Sequence, residues 1–250
     1  MEAVRYVAIG DSFTEGVGDE TADGHVRGWA DLVAQGWAAS GVPVEYANLA
    51  IRGRLIRPIV EEQLPAALAL KPTHLSFNGG GNDMLRPKAD ANAIADFLSP
   101  VLEACDANGI TLILLSGANP SARLPLGKVF QRRGDELVSL VEQRIAHRDD
   151  VVRAYNWPDT TLMDGRFWSE DRLHMNARGH HRVAARVLDS LGVEVPEGWW
   201  DLDFEAAAGK KGVAYYREFV GPWIHRRLTG RSSGDGRTAK FPTWTPIAEM

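Results

Sequence analysis

The chain has 250 residues, of which 44% are apolar and 24% charged, a composition typical of a globular protein large enough for a full core. Its formal net charge of −5 excludes an overall attraction to nucleic acid or to an anionic membrane surface. The single cysteine, Cys105, excludes an internal disulfide, and no apolar stretch approaches the roughly 18 residues of a membrane span.

Short β-prone runs alternate with helical patterns along residues 4–191. The predicted strands cover residues 4–9, 44–49, 73–78, 111–116 and 151–155. The predicted helices cover residues 27–40, 57–69, 91–107, 132–147 and 177–191. This alternation indicates βαβ units, and five strands are too few for an eight-stranded barrel. We therefore expect an α/β protein in which a five-stranded parallel sheet lies between two layers of helices.

The character of the sequence changes after residue 195. Residues 196–250 contain an arginine-rich run at 226–237 and four of the eight tryptophans, which are Trp199, Trp200, Trp223 and Trp244. Residues 201–250 carry eight Lys/Arg and six Asp/Glu, a net charge of +2, which favours a solvated surface over a nucleic-acid site. We predict a main domain over residues 1–195 and an extension over residues 196–250 that packs on it, with some helix near residues 203–220.

Polar residues and a glycine follow four of the predicted strands. Ser12 follows the first strand, Gly53 the second and Asn82 the third, while Asp171 and His174 come after the fifth. Ser12 alone could be a helix N-cap, part of a phosphate-binding turn or a nucleophile. Because ligands bind beyond the carboxyl ends of strands in open parallel sheets, we expect the five residues to meet at one edge. Because the other four residues could serve a nucleophilic serine, they favour the interpretation of Ser12 as a nucleophile.

Acyl transfer from a serine requires these groups. A hydroxyl is a poor nucleophile without a base, and His174 can accept the proton of Ser12 because an imidazole titrates near neutral pH. Asp171 can orient that imidazole from three residues away. The tetrahedral intermediate needs an oxyanion hole, which the backbone N–H groups of Ser12 and Gly53 and the side chain of Asn82 can supply.

These sequence blocks resemble the SGNH (GDSL-type) hydrolases, a family named for a Ser, a Gly, an Asn and a His in four blocks. Residues 10–13, GDSF, are similar to the first block, GDSL, and Gly53 matches the glycine of the second. Residues 80–83, GGND, are similar to GxND, and residues 171–174, DRLH, are similar to DxxH. Residues 176–180, NARGH, resemble the usual NAxGH continuation.

The resemblance covers about residues 4–191 and implies a flavodoxin-like α/β/α sandwich with a serine esterase mechanism. In that mechanism Ser12 is the nucleophile, His174 the base and Asp171 its support. Phe13 departs from the usual Leu, and Met175 stands where Pro often follows the histidine. We expect Phe13 to affect packing, and Met175 to change the stiffness of its loop, rather than the chemistry.

Three functions stay open from the sequence: an esterase for a small-molecule ester, an acyltransferase to a sugar or other alcohol, and a non-catalytic binding module. No phosphate-binding glycine motif and no metal-ligand spacing occurs, so we expect no metal, cofactor or nucleic-acid partner. Residues 1–10 lack the pattern of a secretory signal, which predicts a cytoplasmic protein. The sequence chooses neither among lipid, acetylated-sugar and thioester substrates nor among oligomeric states.

Overall fold

The structure is a computed structural model that describes residues 3–22, 24–124, 126–203, 215–222 and 231–247. The strands are β1 (Val4–Ile9), β2 (Val44–Asn48), β3 (His74–Phe77), β4 (Thr111–Ser116), β5 (Val152–Tyr155) and β6 (Phe241–Thr245). The α-helices are α1 (Ser12–Glu15), α2 (Trp29–Ala39), α3 (Ile56–Pro58), α4 (Leu64–Ala69), α5 (Gly81–Met84), α6 (Ala91–Ala95), α7 (Leu98–Asn108), α8 (Gly127–Arg144) and α9 (Ala177–Ser190). Single π-helical turns are Ile59–Gln63 and Tyr216–Val220, and 3₁₀ turns are Thr160–Met163, Gly165–Phe167 and Trp199–Asp201.

The strands form one sheet in the order β5-β4-β3-β1-β2-β6. The first five strands are parallel, and helical connections join them along the chain. Helices α2 and α9 pack on one face of the sheet, and α4, α7 and α8 pack on the other. This is the predicted three-layer sandwich, and the parallel strands follow the flavodoxin-like order.

The sheet has six strands, so the predicted number of five is wrong by one. Strand β6 pairs antiparallel with β2 at the edge of the sheet. Its sequence, FPTWT, contains Pro242, which has no N–H to donate and is therefore confined to an edge strand. The strand was not predicted because it contains a proline and because its apolar and polar residues do not alternate regularly.

Two predicted helices also differ from the observed ones. The helix predicted over residues 91–107 is divided into α6 and α7, and the helix predicted over 132–147 begins earlier, at Gly127. The helix expected near residues 203–220 lies mostly outside the described residues, although residues 215–222 are helical. Trp223 and the arginines at 226 and 227 lie outside the described residues as well.

The centre of the sheet is closed to water. Tyr6, Val7, Ala8 and Ile9 of β1 are all fully buried, as expected for a central parallel strand that is covered on both faces. Among the described residues, no helix is long and apolar enough to cross a bilayer.

Candidate active site

The chain turns sharply between β1 and α1 and places Ser12 at the carboxyl end of the sheet. A β-carbon at Gly10 would lie 2.4 Å from Oγ1 of Thr14, so this turn admits only glycine. The side chain of Gln63 accepts from the N–H of Gly10 at 2.8 Å and donates to its carbonyl at 3.0 Å. These contacts fix where the strand ends and therefore where Ser12 lies.

His174 and Asp171 lie on the loop before α9 and reach Ser12 across the edge of the sheet. Nε2 of His174 is 3.0 Å from Oγ of Ser12, and its Nδ1 is 2.5 Å from Oδ2 of Asp171. Oδ1 of Asp171 accepts from the backbone N–H groups of Leu173 and His174, each at 2.9 Å, and from the Ser169 hydroxyl at 2.7 Å. The three predicted catalytic side chains thus form one continuous hydrogen-bonded chain.

The same contacts control the charges of the pair. Burial lowers the pKa of His174, but the facing Asp171 carboxylate outweighs burial and raises that pKa above 6.5. Burial would raise the pKa of Asp171, but the charge and hydrogen bonds of His174 hold it well below 3.8. The arrangement stabilises the imidazolium that would form when Ser12 gives up its proton.

Two of the predicted oxyanion donors are backbone groups. Among the described residues, the N–H groups of Ser12 and Gly53 have no hydrogen-bond acceptor. The loop of Gly53 is joined to the turn before Ser12 by a bond from the N–H of Ile51 to the carbonyl of Gly10 at 3.3 Å. Gly53 has a left-handed φ of 76°, which favours glycine. Unpaired backbone donors beside a nucleophile are the groups that an oxyanion hole uses.

The third predicted donor, Asn82, already binds two acceptors. Its Nδ2 donates to Oδ2 of Asp11 and to the carbonyl of Arg54, both at 3.0 Å. An oxyanion would compete with them for the amide hydrogens. Asp11 also caps α1 by accepting from the N–H of Phe13 at 3.1 Å, so Asp11, and not Ser12, is the N-cap. Burial raises the pKa of Asp11 to about 6.

A glycine turn positions Asn82 at the start of α5. Gly80 has a φ of 93°, and a β-carbon there would lie 2.8 Å from Cγ2 of Ile94. Oδ2 of Asp83 accepts from the N–H of Ile56 at 2.9 Å, which ties α5 to α3. Asp11 and Asp83 thus each hold a loop by accepting from a backbone N–H group.

Phe13 has the packing role expected of it. Its ring centroid lies 5.9 Å from that of Trp29, which is fully buried.

Among the described residues, no group of three or more His, Cys, Asp or Glu side chains could hold a metal ion.

An ion pair that no sequence motif indicated joins α1 to the Gly53 loop. Oε1 of Glu15 is 2.5 Å from Nη2 of Arg52 and 2.8 Å from its Nε, and Oε2 accepts from the backbone N–H of Arg52 at 2.6 Å. Glu15 is almost fully buried. The only sequence signal for this pair was an arginine directly before Gly53 and an acidic residue three positions after Ser12.

A cavity of about 150 Å³ opens beside Ser12 and His174. Part of its wall comes from the segments that follow β4 and β5, which contribute Gly117, Ala118, Pro120, Phe130, Trp157 and Trp168. Further apolar side chains come from β4, α6, α7 and α8 and include Leu114, Ile94, Ala95, Leu98, Leu137 and Val141. No described residue of the extension lines the cavity. The space beside Ser12 is therefore lined mainly by apolar side chains.

The chain is similar to known proteins in its sequence profile and in its fold. A sequence profile of the GDSL-like lipase/acylhydrolase family matches residues 8–182. No curated protein sequence matches the chain. The lipase Lip_vut3 from a goat rumen metagenome shares the fold with a TM-score of 0.62 and 17% identity, over 75% of this chain and 97% of that one.

Two esterases are similar to the same extent. The psychrotrophic esterase EstA from Pseudoalteromonas sp. has a TM-score of 0.60 and 17% identity, over 75% of this chain and 96% of that one. The acetylxylan esterase Axe2 from Geobacillus stearothermophilus has a TM-score of 0.60 and 18% identity, over 78% of this chain and 97% of that one. At such identities the likeness shows the fold alone.

Proposed function

Because the chain belongs to the GDSL-like lipase/acylhydrolase family, we propose that it is a serine esterase that cleaves carboxylic esters through an acyl-serine intermediate. The observation that carries this proposal is the unbroken chain of hydrogen bonds from Ser12 through His174 to Asp171. A nucleophile, a base and an orienting carboxylate in this order are what acyl transfer requires.

In the first half of the reaction, Oγ of Ser12 attacks the ester carbonyl while Nε2 of His174 accepts its proton. The oxyanion of the tetrahedral intermediate accepts from the N–H groups of Ser12 and Gly53 and competes for the amide of Asn82. The bond to the alcohol oxygen then breaks, and Nε2 of His174 returns the proton to the leaving alcohol.

In the second half, water attacks the acyl-serine carbonyl and gives a proton to Nε2 of His174. The second tetrahedral intermediate uses the same oxyanion donors as the first. Its collapse breaks the bond to Oγ of Ser12, which takes the proton from His174, and the carboxylic acid leaves. Throughout both halves Asp171 keeps the imidazole oriented and stabilises its charged form.

The cavity beside Ser12 supports an acyl chain as the part of the substrate that the protein buries. A cavity of about 150 Å³ that is lined mainly by apolar side chains is large enough for a benzene-sized group, which corresponds to an acyl chain of about six carbons. Leu114, Leu137 and Ile94 offer such a chain only apolar contacts. A hexanoyl ester therefore fits this space better than an acetyl ester, which leaves most of it unfilled.

The test compares Ser12→Ala with Ser99→Ala, an exposed serine on α7. The Ser12 variant is expected to keep its melting temperature and to lose at least about 1000-fold in kcat/KM for p-nitrophenyl hexanoate. The Ser99 variant is expected to match the wild type. Retained turnover in Ser12→Ala contradicts the proposal.

Product analysis with added alcohols separates hydrolysis from acyl transfer. Free hexanoic acid is the product expected at every alcohol concentration. Accumulation of a new ester would instead make the protein an acyltransferase.

A further inference from the structure

Part of the extension lies against the loop that carries Gly53. A β-carbon at Gly53 would lie 2.2 Å from Oγ of Ser232, and one at Gly234 would lie 2.1 Å from the carbonyl oxygen of Arg52. No β-carbon tolerates such approaches, so the two segments touch directly at their glycines. Gly234 is buried and lacks a left-handed φ, which means that the contact itself, and not the backbone conformation, requires glycine there.

The contact falls on one peptide unit, which joins Arg52 to Gly53. Its carbonyl and its N–H point in opposite directions because the peptide is trans. Gly234 lies against the carbonyl, and the N–H of Gly53 therefore points away from this contact. On the preceding peptide, Glu15 accepts from the N–H of Arg52 at 2.6 Å. Two independent contacts thus fix the orientation of the proposed oxyanion donor.

The segment that makes this contact is itself held in place. The N–H of Ser232 donates to Oδ2 of Asp235 at 2.8 Å, and the N–H of Gly234 donates to the Ser232 hydroxyl at 3.1 Å. A few residues later, Nζ of Lys240 lies 2.5 Å from Oδ2 of Asp31 and donates to two backbone carbonyls of the main domain. Strand β6 follows directly and pairs with β2. The turn over residues 232–235 is therefore held both by its own hydrogen bonds and by the attachment of the residues that follow it.

A second part of the extension touches the loop of the catalytic pair. The hydroxyl of Tyr215 donates to the backbone carbonyl of Asp171 at 3.1 Å. The guanidinium of Arg172 lies 4.0 Å from the centroid of the Tyr215 ring, and Tyr215 is almost fully buried. The extension therefore contacts both loops that flank Ser12.

We propose that the turn over residues 232–235 is a positioning element of the oxyanion hole and that the extension is part of the catalytic unit. This inference rests on the proposed function. The turn lies beyond residue 182, where the family profile ends, so the family does not supply it. Ser232 and Gly234 act through Gly53 and are positioning residues, because neither lines the cavity beside Ser12.

The physical reason is preorganisation. An oxyanion donor contributes fully only when it already points at the position where the charge will develop, and loss of one donor lowers kcat by about 10²–10³. A Gly53 N–H whose peptide can rotate loses part of that contribution. The effect falls on the transition state, so it lowers kcat and leaves KM nearly unchanged.

The test substitutes Gly234→Ala and uses Gly165→Ala as the matched control. The first adds a β-carbon 2.1 Å from the Arg52 carbonyl, whereas the added carbon at Gly165 meets nothing closer than 3.7 Å. Gly234→Ala is expected to lower kcat for p-nitrophenyl hexanoate at least about tenfold, with KM within about twofold of the wild type. Gly165→Ala is expected to change neither constant.

A second variant covers the case in which Gly234→Ala reduces the folded fraction, as judged by thermal unfolding. Ser232→Ala adds no atom and removes the hydroxyl that faces Gly53, and it is expected to lower kcat about threefold at constant KM. An unchanged kcat in a folded Gly234→Ala protein, or in Ser232→Ala if the first variant unfolds, overturns the inference. So does a raised KM at constant kcat. A wild-type protein that cleaves no ester contradicts the proposed function itself.

Discussion

The side-chain amide of Asn82 donates to the carboxylate of Asp11, the residue directly before Ser12, at 3.0 Å. This bond connects the third sequence block to the first, across 71 positions in the chain. It gives a structural reason for an aspartate directly before Ser12: the same carboxylate caps α1 and orients Asn82.

Removal of this carboxylate is expected to affect catalysis as well as stability. Asp11→Ala removes one of the acceptors that orient the Asn82 amide and deletes an N-cap, so kcat should fall about tenfold and the free energy of unfolding by about 1 kcal/mol. Asp90→Ala is the matched control, because Asp90 caps α6 at the surface. It should lose similar stability, measured by urea unfolding, and keep its kcat. Equal kcat values in the two variants would refute the role assigned to Asp11.

The pH dependence of the reaction should report His174. Only its neutral form can accept the Ser12 proton, so kcat/KM should rise with pH through an apparent pKa above 6.5. Asp171→Asn removes the charge that raises this pKa and leaves burial, which lowers it. The rising limb should therefore move to lower pH, while kcat falls about 10³–10⁴-fold.

Asp164→Asn, at an exposed aspartate, is the control for that measurement. This variant should leave kcat unchanged, and the rising limb of its kcat/KM profile should stay at the same pH. A limb that stays in place in Asp171→Asn would show that another group controls the pH dependence.

The cavity predicts a dependence on acyl-chain length. In a series of p-nitrophenyl esters, kcat/KM should be highest near six carbons, and Ala95→Leu should lower the hexanoate-to-acetate ratio about tenfold by filling part of the space. Ala95 is buried and lines the cavity. Ala93→Leu, on the exposed side of α6, is the control and should leave the ratio unchanged. A wild-type maximum at acetate would exclude the acyl chain from this cavity.

Lys240 should stabilise the whole fold and not only the extension. Its Nζ lies 2.5 Å from Asp31, whose side chain is almost fully buried, so Lys240→Met leaves that carboxylate without its cation. Removal of one partner of a buried pair typically costs about 3 kcal/mol. Urea unfolding should show a loss of that order, whereas Lys128→Met, at an exposed lysine of α8, should cost less than about 0.5 kcal/mol. Equal unfolding free energies for the two variants would mean that the extension contributes no stability through Lys240.

The sequence predicted the parallel part of the sheet because its strands are short buried runs between helices of regular period. It also predicted that Ser12, Gly53, Asn82 and His174 meet at the same edge of the sheet, because parallel strands end together there. The structure places Ser12, His174 and Asp171 in one chain of hydrogen bonds and shows the Asn82 amide bound to Asp11.

Features that depend on distant pairing were not predictable in this way. The Glu15–Arg52 bond joins residues that are 37 positions apart, and the contact of Gly234 with Arg52 depends on where the extension packs. Neither leaves a periodic pattern in the sequence. The cavity was not predictable for a related reason. A helical pattern shows which side chains of α6 and α8 face inward, but it does not show whether they fill the space between them.

The proposed mechanism depends most on Ser12 as the nucleophile, and active-site labelling tests that role most directly. An alkyl fluorophosphonate should modify the wild-type protein once per chain, with turnover of p-nitrophenyl hexanoate falling in proportion to the modified fraction. Peptide mass mapping should locate the adduct on Ser12, and Ser12→Ala should remain unmodified. Full turnover in a protein modified at Ser12, or inactivation by an adduct on another residue, would contradict the mechanism.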